Sequence, residues 1–162
     1  MSHYRSRLIT GVLIVTLAGG VFAQSFPSGS SPSVAPERIR NAMESYVRLL
    51  AAGDTDGIMN LYGENPSFED PVGDKPLIGR KAIRAAYTQA GPIKAELVGP
   101  VVVAGLEGAM RMSAELKEGN GFIDVIETMK FDNQGKIVSL RAYWSFAEIR
   151  STRLSICEPT PH

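Results

Sequence analysis

In segments between Pro36 and Ala90 the apolar residues recur every three or four positions, and beyond Pro92 they recur in short β-type runs; no other feature of the chain restricts its fold as much. Within Pro36–Ala52, Ile39, Met43, Tyr46 and Leu50 fall at i, i+4, i+7 and i+11, one buried helical stripe that turns Tyr46 inward. Pro36 and Glu37 suit the first turn of that helix, and Gly53 stops it. Asp54 is placed to cap a second, shorter helix over about 54–62, ended by Gly63. A third, over Arg80–Ala90, puts Ile83 and Tyr87 on one face. Strands are then expected at about 93–98, 100–104, 108–116, 121–131 and 136–146. The links 117–120 and 132–135 are short and contain glycine, with no room for a crossover helix, so these strands should run antiparallel. Helices first and strands later predict an α+β domain with helices on one face of an antiparallel sheet.

The chain has 162 residues and two histidines, His3 and His162, so the stretch that can fold contains none. That removes Ser-His-Asp and Cys-His catalysis, and it leaves Cys157 as the one candidate for a zinc site that would need several His or Cys ligands. Neither GxGxxG after a strand nor GxxxxGK[ST] occurs, and 17 basic residues balance 17 acidic ones without a basic run. The sequence therefore points away from nucleotide cofactors, metals and nucleic acid. Carboxylate, tyrosine and backbone chemistry remain.

Residues 1–23 contain no acid, carry Arg5 and Arg7 ahead of an apolar run over 8–17, and end Val21-Phe22-Ala23. This is the pattern of a secretory signal peptide cleaved after Ala23, with an uncleaved membrane anchor as the alternative. Export to the periplasm or medium is the expected localisation, with no membrane association after cleavage. Loss of Arg5 and Arg7 would leave 15 basic against 17 acidic residues. Eight of the twelve residues in 24–35 are Ser, Pro or Gly, the composition of a flexible linker. The folded domain is expected over 36–153, followed by a tail, 154–162, that holds Cys157.

In the strand Phe122–Phe131, Ile123, Val125, Glu127, Met129 and Phe131 share one face, and Glu127 is its only polar member. If that face is buried, an ionised carboxylate there costs several kcal/mol, so the pKa of Glu127 should rise. If the face is open, Glu127 is a solvated strand residue. Asp70 precedes Pro71, which favours extended backbone and would put Asp70 on the same side as Phe68, with Glu69 towards water. An acid that merely ends a strand would look the same. Tyr46, Tyr62 and Tyr87 fit plain core positions as well as functional ones.

The stretch from about Arg40 to Arg153 resembles bacterial ketosteroid isomerases, the steroid Δ5-Δ4 isomerases of the nuclear-transport-factor-2-like (SnoaL-like) superfamily. The resemblance is carried by Tyr46-Val47-Arg48-Leu49, Ala52-Gly53-Asp54, Phe68-Glu69-Asp70-Pro71-Val72-Gly73, Val125-Ile126-Glu127 and Arg141-Ala142-Tyr143-Trp144-Ser145. It implies a cone-shaped domain in which three N-terminal helices pack on a curved antiparallel sheet around an apolar cavity, usually as a homodimer. It also implies a cofactor-free site with Asp70 as general base and Tyr46 as oxyanion donor. Tyr62 and Tyr87 match tyrosines that support the latter, and Met110, Met112 and Trp144 match positions that line the steroid cavity. The second oxyanion donor of the family is a protonated aspartic acid; here that position holds Glu127, one methylene longer.

The expected activity is isomerisation of a 3-oxo-Δ5 steroid or a similar enolisable ketone. The alternatives are a non-catalytic carrier of a small hydrophobic, steroid-like ligand and a polyketide-cyclase-like enzyme using the same cavity. An epoxide hydrolase is less expected, because no Asp-Arg-Asp set directed at one water is visible.

Overall fold

A computed structural model describes residues 34–116 and 121–151. The expected signal peptide, most of the linker, the link 117–120 and the tail with Cys157 lie outside those residues. Helix α1 (Pro36–Ala52) buries the expected stripe of Ile39, Met43, Tyr46 and Leu50, together with Val47. Gly53 closes it in the left-handed conformation at φ 67°, its N–H donating to Leu49 O and Leu50 O. A side chain there would be strained, and its Cβ would lie 2.8 Å from the Pro92 ring. In helix α2 (Thr55–Leu61) Asp54 accepts the Gly57 N–H at 2.8 Å, the cap its sequence position suggests.

Two features depart from expectation. Gly63 does not end α2: the chain passes straight from Leu61 into strand β1 (Tyr62–Glu69), followed by the short β2 (Leu77–Ile78) and then helix α3 (Arg80–Ala90). Strands thus come between the second and third helices. Gly63, Asn65 and Pro66, residues typical of turns, occupy a shift in register between Tyr62 and Ser67, where the ladder tolerates them. The sheet is also mixed rather than antiparallel, because β1 runs parallel to the last strand. Segments so distant in sequence need no tight turn between them, so nothing local forbids the parallel pairing.

Strands β3 (Ala95–Leu97), β4 (Val102–Ala104), β5 (Glu107–Glu115), β6 (Phe122–Phe131) and β7 (Ile137–Tyr143) follow the expected positions and pair antiparallel. The seven-stranded sheet has the order β2-β1-β7-β6-β5-β3, with β4 also on β5. It is curved and unclosed, and the three helices contribute to the core on its inner face. β6 alternates as expected: Ile123, Val125, Glu127, Met129 and Phe131 are buried, while Ile126 on the other face is half exposed. At Gly108 helix α1 presses on the sheet so closely that a Cβ would come within 2.2 Å of the Met43 sulfur. The cavity lies away from that contact, since neither Met43 nor Gly108 lines it.

Candidate active site

A cavity of about 400 Å³ opens between α1, α3 and the inner sheet face. Its wall is mainly apolar, with Leu50 of α1, Ala86 and Ala90 of α3, Phe68 of β1, and Met112 and Val125 of β5 and β6. Into this wall are set Tyr46, Tyr87, Asp70, Glu127 and Trp144, and at another position Glu115. The structure therefore brings the three residues read as catalytic to one cavity. Met112, Tyr87 and Trp144 also line it. Met110 does not: it is buried on β5 opposite Glu127, outside the cavity wall. Tyr62 does not reach the wall either and stands behind Tyr87.

With Glu127 Oε1 as the final acceptor, the tyrosines form a relay in one direction. Tyr87 donates its hydroxyl proton to Tyr46 at 3.2 Å, and Tyr46 donates to Glu127 Oε1 at 3.4 Å. Each hydroxyl has one proton, so Tyr62, 2.9 Å from the Tyr87 oxygen, must donate to Tyr87. Burial is the first cause that raises all three phenols well above their ordinary value, with Glu127 next for Tyr46 and Tyr87 next for Tyr62. They remain neutral donors at any physiological pH.

The relay ends on a carboxyl that is 3% exposed, and its other oxygen, Oε2, is buried without a hydrogen-bond partner. Burial, and then the charge of Asp70, push the pKa of Glu127 from 4.5 to about 8, against the smaller opposing effect of the Tyr46 hydroxyl. At pH 7 Glu127 is mostly the neutral acid. With Oε1 accepting from Tyr46, the unpartnered Oε2 is the natural place for the proton.

Asp70 follows the end of β1, in a turn at the rim of the cavity, with a cis bond to Pro71. As a whole residue it is exposed, yet its carboxyl lines the cavity and accepts a hydrogen bond from the Trp144 indole N–H. Desolvation raises its pKa, Trp144 lowers it, and Asp74 adds a smaller upward push. The net effect raises Asp70 above its ordinary 3.8, which makes its carboxylate a stronger base, and the Trp144 hydrogen bond limits that rise.

The sequence places Glu69 towards water but does not show that it and Arg141 fasten the Asp70 turn from the outer face, although both lie in the segments that carry the family resemblance. Nor does it single out Glu115, which lines the cavity and pairs with Lys94 at 3.3 Å. No local pattern marks either pairing.

Three helices and an open mixed sheet around an apolar cavity define an α+β domain of the NTF2-like class. Residues 43–140 match the SnoaL-like domain, and the chain belongs to that family. It is 30% identical over 110 residues to the steroid Delta-isomerase of Nocardioides simplex, which spans 66% of this chain and 89% of that protein. It is 26% identical over 156 residues to epoxide hydrolase LasB of Streptomyces lasalocidi, covering 80% of this chain and 55% of that one. The epoxide hydrolase/cyclase-like enzyme SalBIII, studied for pyran ring formation in the polyether salinomycin, has a solved structure similar at TM-score 0.62. Its sequence identity is 25%, over 70% of this chain and 95% of that one. These relatives are enzymes of one superfamily with different reactions.

Proposed function

We propose that the chain is a cofactor-independent isomerase that moves a C=C bond in a 3-oxo-Δ5 steroid or a similar enolisable ketone. The observation that carries this reading is one apolar cavity holding a basic carboxylate, Asp70, and a hydrogen-bonded pair of neutral donors, Tyr46 and Glu127. Asp70 removes the proton between the carbonyl and the alkene; the electrons pass to the ketone oxygen and give a dienolate. When the ligand binds, the Tyr46 hydroxyl turns from Glu127 Oε1 to that oxygen and the neutral Glu127 carboxyl donates its own proton beside it, as the charge on the oxygen grows in the transition state. Protonated Asp70 then returns the proton two carbons further on, and the conjugated enone leaves. Neutral donors suit this step because they offer hydrogen bonds without taking up the proton that Asp70 must return.

The test is ultraviolet detection of the conjugated enone formed from 5-androstene-3,17-dione, by the wild type and by Asp70→Asn. Turnover by the wild type and its collapse in the variant support the reading. Equal rates in the two overturn it, and binding without turnover by either favours a carrier.

A second reading draws on LasB and SalBIII. In opening an epoxide, Glu127 would protonate the departing oxygen while Asp70 deprotonated an attacking hydroxyl or water. A buried acid pushed up to about 8 and a second carboxyl at the rim suit this chemistry, although no arginine is among the described residues that line the cavity. Ring opening of a hydroxy-epoxide, without turnover of the steroid, would select it.

A further inference from the structure

The acid beside Asp70 faces the other way. Side chains alternate along β1, so Phe68 enters the core and Glu69 emerges on the outer face of the sheet. There Glu69 lies opposite Arg141 on the parallel strand β7, and Arg141 Nε donates to Glu69 Oε2 at 2.7 Å. Glu69 Oε1 accepts the backbone N–H of Gly73 at 3.0 Å, across the turn that begins at Asp70. One carboxylate thus ties the far end of the turn to the neighbouring strand. Arg141 is itself fixed, since it donates to the Tyr143 hydroxyl at 3.0 Å and lies over the Tyr143 ring at 5.4 Å.

The turn has few other restraints. Pro71 has no N–H to offer; Val72 N–H donates to Ala142 O at 2.7 Å, and Asp74 N–H donates to Pro71 O at 3.2 Å. The Arg141 hydrogen bond, and then the Gly73 N–H, hold Glu69 below the ordinary carboxylate range, so it stays an acceptor for both partners at once. The pair is part-buried, with the arginine side chain 43% exposed and the carboxylate 17%. Its geometric effect is local, and it acts on the turn that carries Asp70.

We propose that Glu69, held by Arg141, is a positioning residue for Asp70: it locks turn 70–73 against β7 so that the Asp70 carboxyl keeps one place on the cavity wall. The inference rests on the reading of Asp70 as the base. A base that takes a proton from one carbon and returns it to another must reach both from a single mooring, and a misplacement of about 1 Å is enough to cost on the order of 10²-fold in rate.

The test compares Glu69→Ala, which removes both ties, with Glu69→Gln, whose amide oxygen still accepts from Gly73. The expected result for Ala is a fall of roughly 10- to 100-fold in kcat, with KM within about twofold and an acid limb of kcat/KM at higher pH as the Trp144 hydrogen bond loosens. Gln, which keeps one of the two ties, should fall between Ala and the wild type. Wild-type kcat in the Ala variant overturns the proposal, as does a parallel loss of binding, rate and thermal stability, which would mark a merely structural role. Trp144 is the only tryptophan in the chain and touches Asp70, so its fluorescence gives a readout independent of turnover. Asp70→Asn should abolish the pH transition of that emission, which assigns it to Asp70. If the wild type fails to turn over the steroid, the isomerase reading falls, and this signal still decides the positioning: a transition displaced to higher pH in Ala, and by less in Gln, supports it, and an unchanged transition in Ala refutes it.

Discussion

Replacing Glu127 with Gln should remove a pH dependence of stability that the wild type carries near neutrality. A carboxyl whose folded pKa is raised stabilises the fold while it is protonated. That contribution is complete below its unfolded value of 4.5 and is lost as the pH rises through the folded value of about 8. Between those limits the folded chain binds more protons than the unfolded one, so stability falls with rising pH. The gap converts to about 5 kcal/mol at 1.36 kcal/mol per pH unit, of which about 3 kcal/mol falls between pH 5.5 and 8.5, above the titration of ordinary carboxylates. Gln has nearly the same size and cannot ionise. Urea denaturation of both proteins across that range should therefore show the wild type losing about 3 kcal/mol more than the variant. Asp70→Asn should narrow the window, since the Asp70 charge is the second cause of the shift. Parallel curves for wild type and Gln would mean that Glu127 is ionised in the folded protein, and the neutral second donor would have to be abandoned.

Asp70→Asn keeps shape and hydrogen bonding without basicity, and should reduce steroid turnover by about 10²- to 10⁴-fold while equilibrium binding of the product enone survives. Trp144→Phe removes the donor that lowers the Asp70 pKa, so the acid limb of the kcat/KM profile should move to higher pH; a limb that stays in place would deny the indole this influence. Glu127→Gln should retain much more activity than Glu127→Ala, whose loss should approach ~2.7–4 kcal/mol in activation free energy. Equal rates in Glu, Gln and Ala forms would exclude donation, and Glu127→Asp should turn over more slowly than the wild type. Protein recovered after export should begin at Gln24 by intact mass, whereas a membrane-bound form retaining residues 1–23 would show an anchor.

The parts of the fold legible in the sequence are those with a local period. The stripe through Tyr46 and the alternation through Glu127 follow from burial of one face, and both residues are buried as those patterns require. The pairing of β1 with β7 had no local sign. Gly63, Asn65 and Pro66 resemble a turn, and the partner strand lies some seventy residues away. Two unforeseen contacts descend from that one pairing. In the ladder Glu69 faces Arg141, and beyond its end Asp70 meets Trp144. The register also explains why the segments 68–73 and 141–145 carry the family resemblance together. Arg141 holds Glu69 outside, Ala142 O receives Val72 N–H, Trp144 reaches Asp70 inside, and Ser145 caps the following 3-10 turn by accepting from Ala147 N–H.

The same geometry bears on the glutamate at position 127. Read from sequence, the extra methylene threatens to misplace the donated proton. In the folded chain Glu127 lies on β6 opposite Met110 on one side and Ala142 on the other, and even its longer arm meets the Tyr46 hydroxyl at only 3.4 Å. An aspartate on this backbone would stop short by about one C–C bond, roughly 1.5 Å, beyond hydrogen-bond reach of Tyr46. The separation between α1 and β6 is set elsewhere, in part by the close approach of Met43 to Gly108, which leaves little freedom to close the gap. The glutamate therefore fits the distance that this helix and sheet impose. Its contact with Tyr46 leaves Oε2 buried and unpartnered, and the carboxyl can serve a ligand oxygen only because burial keeps it protonated. Reach and neutrality are thus linked: a shorter acid loses the relay, and a solvated one loses the proton.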